Sequence, residues 1–330
     1  MSIARFKVSF AGPLVSLQDA GRSGQMRFGV PASGPMERFA FASAHAMLGQ
    51  PEGTAIEVSL GGLVLECVEG SVTCAVAGGA FSLNTGDPGW QAVTVSKGDR
   101  LTLRAGPWGS WCYLAFSGNI VANQWLGSSA THTLSGLGGG TLRTGDTIDI
   151  HDAAPKPGRD GAHACPDIAR PSTDIRVVIG PQEQHFAAGA VEVLTAAPYQ
   201  MTDAFDRMGV RLQGTALPLS DALSIPSEPI LRGSIQVAGD GVPVVLLADH
   251  QTTGGYPKIA TVLSTDTDRL AQLRAGDAFR FLAISADEAI TLSRRDHEKR
   301  AAALSTLAAP RASLSHLLSH ANLISGVNED

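Results

Sequence analysis

The chain has 330 residues, of which 44% are hydrophobic, 5% aromatic and 17% charged, with 37 glycines and a formal net charge of −6. That length matches about two domains and lets roughly 70–75% of the unfolded surface be buried, so neither a metal nor a disulfide is needed for folding. The 25 basic and 31 acidic residues form no basic stripe, which argues against nucleic acid. No apolar run approaches the ~20 residues of a membrane helix, and residues 1–7 lack the apolar core of a signal peptide, so a cytoplasmic protein that does not engage a membrane is expected.

Residues 6–17, interrupted by Gly12-Pro13, read as strand, turn, strand. Gln18, Asp19 and Arg22 follow in a loop around Gly21 and Gly24. Asp19 and Arg22 read either as an ion pair closing that loop or as groups projecting into a pocket. A helix is predicted from Ser33-Gly34-Pro35, with Ser33 or Gly34 as its cap. Met36, Phe39, Ala40, Ala44, Met47 and Leu48 supply helical spacing, Gly49 stops the helix, and His45 lies on or near the apolar face as a core or boundary histidine.

From residue 54 to 152 the pattern is short strands and turns, at 55–59, 63–67, 72–77, 93–95, 100–104, 111–117 and 147–151, a spacing that indicates a barrel or sandwich. The glycine-rich run 136–140 has no following Lys-Ser/Thr and reads as a turn. Gly98-Asp99, Gly145-Asp146 and Gly276-Asp277 each introduce a strand, which is either common hairpin chemistry or a sign that both halves share one β architecture. Cys67, Cys74, Cys112 and Cys165 form no CxxC pair and read as small buried hydrophobes, without zinc. Residues 153–173, rich in Pro, Ala, Gly and charge, read as a linker, with His151 and His163 solvated beside and within it.

Beyond it, 175–179 is a strand stopped by Gly180-Pro181-Gln182, and 184–188 a helical turn. In Asp206-Arg207-Met208-Gly209-Val210-Arg211, Gly209 suggests a bulge, and strand alternation would place Arg207, Gly209 and Arg211 on one face. Those arginines are either surface groups or contacts to an anion or carboxylate. Residues 234–238 and 242–248 form an antiparallel pair across Gly239-Asp240-Gly241, the second strand being apolar enough for burial on both faces. It empties into Asp249-His250-Gln251-Thr252-Thr253-Gly254-Gly255-Tyr256-Pro257-Lys258. A rigid strand feeding a dense polar loop with two glycines is a common way to build a site. Residues 286–307 read as a helix broken by Pro310, and Leu314, Leu317, Leu318, Ala321 and Ile324 as a second amphipathic helix in which His316 and His320 are solvated rather than metal-binding.

No GxSxG, HExxH, GxxxxGK[ST] or GxGxxG motif is present, nor a Met-Lys-Met biotin hairpin, so nothing argues for a self-contained nucleophile or metal enzyme.

The segments SLQDAGRSGQMRFGVPASGPM, FDRMGVRLQG, GSIQVAGDGVPVVLLADHQTTGGYPK and LAQLRAGDAFRF together resemble the allophanate hydrolase subunit 2, or biotin-dependent carboxyltransferase, family, whose members include the C subunit of 5-oxoprolinase. The resemblance covers roughly residues 5–285. It implies two cyclophilin-like β-barrel domains; with the short helices, the linker and a helical C-terminal extension past the family core read from the residues themselves, a mainly β chain divided as 1–152, linker 153–173, 174–285 and 286–330 is expected. It implies a companion B subunit, resembling allophanate hydrolase subunit 1, and a LamB/YcsF-type A subunit. The activity it implies is ATP-dependent opening of 5-oxo-L-proline to L-glutamate, with ATP used at the level of the complex. The alternatives are carboxyl transfer to urea or another amide from biotin carried by another chain, and a non-catalytic regulatory partner of the companion protein. On the matching positions it implies Lys258, Thr253 and Gln251 as catalytic groups. Thr252, Gly254, Gly255, Tyr256, Gln236, Arg207, Asp19 and Arg22 would bind a small amide substrate, and no metal is implied. Glu37, His45 and Asn119 depart from the family pattern.

Overall fold

The computed structural model describes residues 2–84, 90–220 and 224–310; the second amphipathic helix expected around Leu314–Ile324, with His316 and His320, lies outside the described residues. The chain is mainly β, as expected. Its first half folds as two six-stranded sheets. One runs in the order Asn119–Ile120, Thr147–His151, Ile3–Ala11, Leu63–Glu69, Arg100–Arg104, Ser82–Leu83; the other runs Gly161–His163, Trp90–Ser96, Ser71–Ala77, Trp111–Phe116, Ala55–Ser59, Ser16–Gln18. Within 153–173, therefore, Gly161–His163 adds an edge strand to the second sheet, and His151 and His163 are half-buried in strands rather than solvated.

Alternation along the strands decides what lies on each side of the second sheet. Val72, Cys74, Val76, Cys112, Leu114 and Phe116 point inward and meet Phe6, Val8, Leu63, Leu65, Leu101 and Ile150 of the first sheet. Between them stand Ala55, Ala75, Ala77, Ala92 and Ala115, whose small side chains leave an outer face that a helix can approach closely. Helix α1 (Arg38–Met47) lies there, through Phe39, Ala40, Phe41, Ala44 and Met47. Its cap is Glu37 rather than Ser33 or Gly34: the Glu37 side-chain oxygens accept from the backbone N–H groups of Phe39 and Ala40 at 2.8 and 2.9 Å. Ser33 and Gly34, both at positive φ, belong instead to the loop that delivers the chain to the helix. His45 is 1% exposed, a core histidine.

The second half closes into a seven-stranded barrel: Asp174–Ile179, Lys258–Val262, Ser234–Val237, Pro243–Leu246, Gly209–Gln213, Tyr199–Phe205, Ala278–Ile284 and back to the first. Helices α2 (Ala190–Ala196) and α3 (Ser264–Ala271) flank it. The lumen is filled by Ile175, Val177, Val210, Leu212, Ile235, Val245, Phe279 and Phe281, so it is a packed core and not a channel. Met36 and Trp111 of the first half join that same core. Gln272 fastens the junction: its Oε1 accepts from the Ser110 and Trp111 N–H groups at 2.9 and 3.0 Å, and its Nε2 donates to the Trp111 carbonyl at 3.0 Å.

Helix α4 (Ala286–Ala308), opened by a Ser285–Glu288 capping box, returns from the barrel to cover α1. Leu307 reaches the cluster under α1, and Arg300 bonds Asp268 at 2.6 Å while lying over the Phe39 ring. No helix among the described residues is long and apolar enough to cross a membrane.

Candidate functional site

Residues 243–246 are sheltered on both sides, as their composition predicts, but by different partners. Val245 points into the barrel core, whereas Val244 and Leu246 point outward into a cleft of about 590 Å³ on the outer wall of the barrel. Gly209, Arg211 and Gln236 line it from the adjacent strands, together with Phe205, Asp206, Met208, Gln251 and Tyr256. The cleft belongs to the second barrel alone. Gly209 is not a bulge. A Cβ there would stand 2.8 Å from the Val245 carbonyl oxygen, so glycine permits close strand approach. The irregularity in that ladder lies opposite, between Met201 and Phe205.

Gln236 is the most telling residue. It is 4% exposed, and among the described residues its Nε2 has no hydrogen-bond partner. A buried donor left unpaired carries a desolvation penalty of about 1–3 kcal/mol, so an acceptor in the cleft would relieve it. Gly254 makes room for that amide, since a Cβ on Gly254 would sit 2.6 Å from Gln236 Nε2. The backbone of the polar loop is held elsewhere. The Thr252 carbonyl accepts from Ile230 N–H at 3.1 Å, the Gly255 carbonyl from Ile225 N–H at 2.8 Å, and His250 Nδ1 lies 2.6 Å from the Gln251 carbonyl oxygen.

Of the residues expected at the site, Gln236, Gln251 and Tyr256 thus line one cleft, with Gly254 packed behind Gln236. Thr252 is buried, and Thr253 is exposed in a two-residue strand paired with Pro229. Lys258 is outside the cleft lining; its ammonium lies 3.2 Å from the Glu228 carboxylate, and its N–H donates to Gln182 Oε1 at 2.9 Å.

Arg207, expected at the substrate, is instead fully buried. Its guanidinium donates to both carboxylate oxygens of Asp249 (2.9 and 3.0 Å), to Glu57 and to the Gly34 carbonyl. The strand begins only at Gly209, so the alternation that would have grouped Arg207 with Arg211 does not reach it. Burial works against the Arg207 charge, but Glu57 and Asp249 more than offset it and raise its pKa. Burial likewise opposes ionisation of Asp249, yet Arg207 and the N–H and hydroxyl of Thr133 hold its pKa below the ordinary value. Glu57 accepts further from Met36 N–H at 2.8 Å and from the Tyr113 hydroxyl at 2.7 Å. The partners in this polar seam between the two halves could not be read from the sequence, because its members come from six separate segments.

Asp19 and Arg22 lie in the first half, outside the lining of the barrel cleft, and form no ion pair with each other. Asp19 accepts from Ser128, Ser129 and Gly21; burial raises its pKa less than these bonds lower it. It borders a separate groove with Thr54, Asn119 and Gln124. Arg22 stacks on Trp125, 4.8 Å from the ring centroid, and donates to the Ala130 carbonyl. Among the described residues no three His, Cys, Asp or Glu side chains are grouped to hold a metal ion.

Residues 28–283 match the family described as carboxyltransferase domain, subdomain A and B. The chain is 33% identical over 297 residues to the C subunit of 5-oxoprolinase from Haemophilus influenzae, covering 85% of this chain and 92% of that protein. The crystal structure of the Kluyveromyces lactis urea carboxylase superposes with a TM-score of 0.80 at 26% identity, over 93% of this chain but only 29% of that one. The crystal structure of TTHA0988 superposes with a TM-score of 0.74 at 30% identity, over 84% of this chain and 55% of that one.

Proposed function

The chain belongs to the carboxyltransferase-domain family, subdomains A and B, and on that premise we propose that it is the C subunit of a 5-oxoprolinase-type complex, with the barrel cleft as the seat of a small amide substrate. The observation that carries this reading is Gln236, which lines a cleft with otherwise largely apolar walls and whose buried Nε2 has no hydrogen-bond partner among the described residues. A donor fixed in a site of low polarity stabilises negative charge developing on a substrate carbonyl more strongly than water does. Gln251, on the opposing loop, adds a second amide, and Tyr256, 47% exposed, places a phenol at the rim. Phe205, Met208, Val244 and Leu246 exclude water from the bound carbonyl.

The cleft does not suit a nucleotide triphosphate. Its one arginine, Arg211, is already paired with Asp240, and Asp206 adds a negative charge to the lining. ATP is accordingly assigned to the companion proteins, one resembling allophanate hydrolase subunit 1 and one of the LamB/YcsF type, and this chain contributes substrate binding and polarisation. The likeness to urea carboxylase supports a second reading, carboxyl transfer from biotin held by another chain; there too Gln236 would receive an amide-like carbonyl.

The test is reconstitution with the companion proteins and assay for ATP-dependent release of L-glutamate from 5-oxo-L-proline. Turnover that falls at least about a hundredfold with Gln236→Leu supports the reading, at the scale of one lost carbonyl donor; unchanged turnover in that variant contradicts it.

A further inference from the structure

We infer that Lys258 and Gln182 are positioning residues of the barrel cleft: through Glu228 they hold a two-stranded flap whose flanking residues Gln251 and Tyr256 line the cleft. The inference rests on the cleft being the substrate site, and it gives Lys258 a role outside the chemistry.

In the barrel, a register shift between Ile235 and Gln236 places Lys258, rather than Ile259, opposite Gln236. A bulge of this kind re-aims a side chain, and register partners project to the same face. Lys258 therefore stands beside Gln236 on the outer wall, with Val244 as the partner of Gln236 on its other side. Against that wall lies a sheet of two short strands, Glu228–Pro229 and Thr253–Gly254. Contacts from both strands fasten it. Gly254 packs on Gln236, where a Cβ would stand 2.6 Å from Nε2. Its register partner Glu228 accepts from the Lys258 ammonium at 3.2 Å and from the Gln182 amide. Gln182 is 5% exposed, and its Oε1 accepts from the Lys258 N–H at 2.9 Å, so this amide is fixed at both its oxygen and its nitrogen.

The flap sets where the polar groups of the loop lie. The Ile225 and Ile230 N–H groups donate to the Gly255 and Thr252 carbonyls at 2.8 and 3.1 Å. Tyr256 and Gln251, which line the cleft, stand one residue outside these two carbonyls. Residues 226–229 are exposed, so apolar burial does not hold them, and the polar anchor at Glu228 does. The Lys258 side chain is 15% exposed and that of Glu228 51%. Such a pair alone is weak, but the buried Gln182 amide adds a second donor to the same carboxylate, and a hydrogen bond to an ionised acceptor is among the stronger kinds. Lys258 is absent from the cleft lining and turns its charge to Glu228, so it acts on the cleft through the flap.

Hydrogen exchange read by mass spectrometry on the full chain tests the clamp without substrate. In Glu228→Ala and in Lys258→Met, peptides covering 225–230 and 252–256 should exchange at least about threefold faster than in the wild type, the scale of one hydrogen bond, while strand 243–246 is unchanged. Lys258→Arg, which keeps a cationic donor for Glu228, should exchange as the wild type does. Turnover of 5-oxo-L-proline by the reconstituted complex then separates positioning from chemistry. Glu228→Ala and Lys258→Met should each raise KM at least about threefold with kcat near the wild-type value, the double variant should be no worse than either single one, and Lys258→Arg should restore KM. Wild-type exchange in both variants overturns the clamp. A loss of kcat in Lys258→Met that Glu228→Ala does not share, or effects that multiply in the double variant, overturns the positioning role. Turnover absent from the wild-type complex, or indifferent to Gln236→Leu, overturns the cleft reading instead, and the exchange result then decides the clamp alone.

Discussion

Arg207 of the barrel and Glu57 of the first half, 150 residues apart in sequence, form an ion pair in which neither side chain is exposed. Asp249 completes the set from the other side of the guanidinium. The seam fixes the cleft as well as the domain junction, for Asp206 and Met208 on either side of Arg207 line the cleft, and Gln251 follows two residues after Asp249. Removing one partner of such a set leaves buried charge uncompensated. Arg207→Ala should therefore destabilise the protein by about 3–5 kcal/mol in urea or guanidinium melts. Arg207→Lys retains the charge but cannot fork to both carboxylates and the Gly34 carbonyl, so it should lose less. A wild-type midpoint for Arg207→Ala would contradict this account of the seam.

Gly254 is predicted to be required for the cleft rather than for the fold. A Cβ would meet Gln236 Nε2 at 2.6 Å, and the far end of a glutamine can swing aside, so Gly254→Ala should fold with near wild-type stability while weakening ligand binding. Gly158→Ala, where nothing lies within 4 Å of the added carbon, is the control and should leave binding unaltered. Parallel thermal melts and ligand titrations of the two variants separate the effects.

The Glu37 carboxyl gives the stability a pH dependence. Burial, followed by the charge of Asp268, raises its pKa from 4.5 to about 8, against the opposing pull of Arg300 and of the Ala40 and Phe39 N–H groups. Below about pH 4.5 the group is protonated whether the chain is folded or not. Above it the unfolded chain releases the proton and the folded protein retains it, so stability from this group is lost as pH rises toward about 8. Glu37→Gln keeps an acceptor for the α1 cap and cannot ionise. Its stability relative to wild type should improve steadily between those pH values in urea melts. A difference that does not vary with pH would show that the carboxyl ionises normally.

Helix α4 should contribute to the stability of the first half, although it follows the barrel in sequence. Leu307 is 4% exposed in the cluster beneath α1, and Leu307→Ala should cost about 2–5 kcal/mol. Ile290, on the same helix and 51% exposed, should tolerate alanine within about 0.5 kcal/mol. Equal effects at the two positions would mean that α4 does not dock as described.

What the sequence disclosed was local chemistry. Strands Ala55–Ser59, Arg100–Arg104 and Thr147–His151 match expectation residue for residue, because alternation and flanking turns mark both ends. The three Gly-Asp turns proved to be one device in both halves: Asp99, Asp146 and Asp277 each accept from the N–H three residues earlier, at 2.7–2.8 Å, with the preceding glycine at positive φ. The polar loop after Ala248 borders a cleft, which Gln236, Gln251 and Tyr256 line together. What stayed hidden depends on partners distant in the chain. Nothing near Arg207 shows that its counter-charge is Glu57, and nothing in the loop shows that Lys258 turns toward Glu228 while Gln251 turns into the cleft. The start of α1 lies later than the sequence suggests, since glutamate is not among the preferred capping residues, yet the Glu37 side chain accepts from the first-turn N–H groups.

The most direct measurement is a crystal structure of the full chain soaked with 5-oxo-L-proline. Ligand density is predicted in the outer cleft of the barrel, with the lactam oxygen within hydrogen-bonding distance of the Gln236 amide. Density in the groove beside Asp19, Thr54 and Asn119, with the barrel cleft empty, would contradict the assignment.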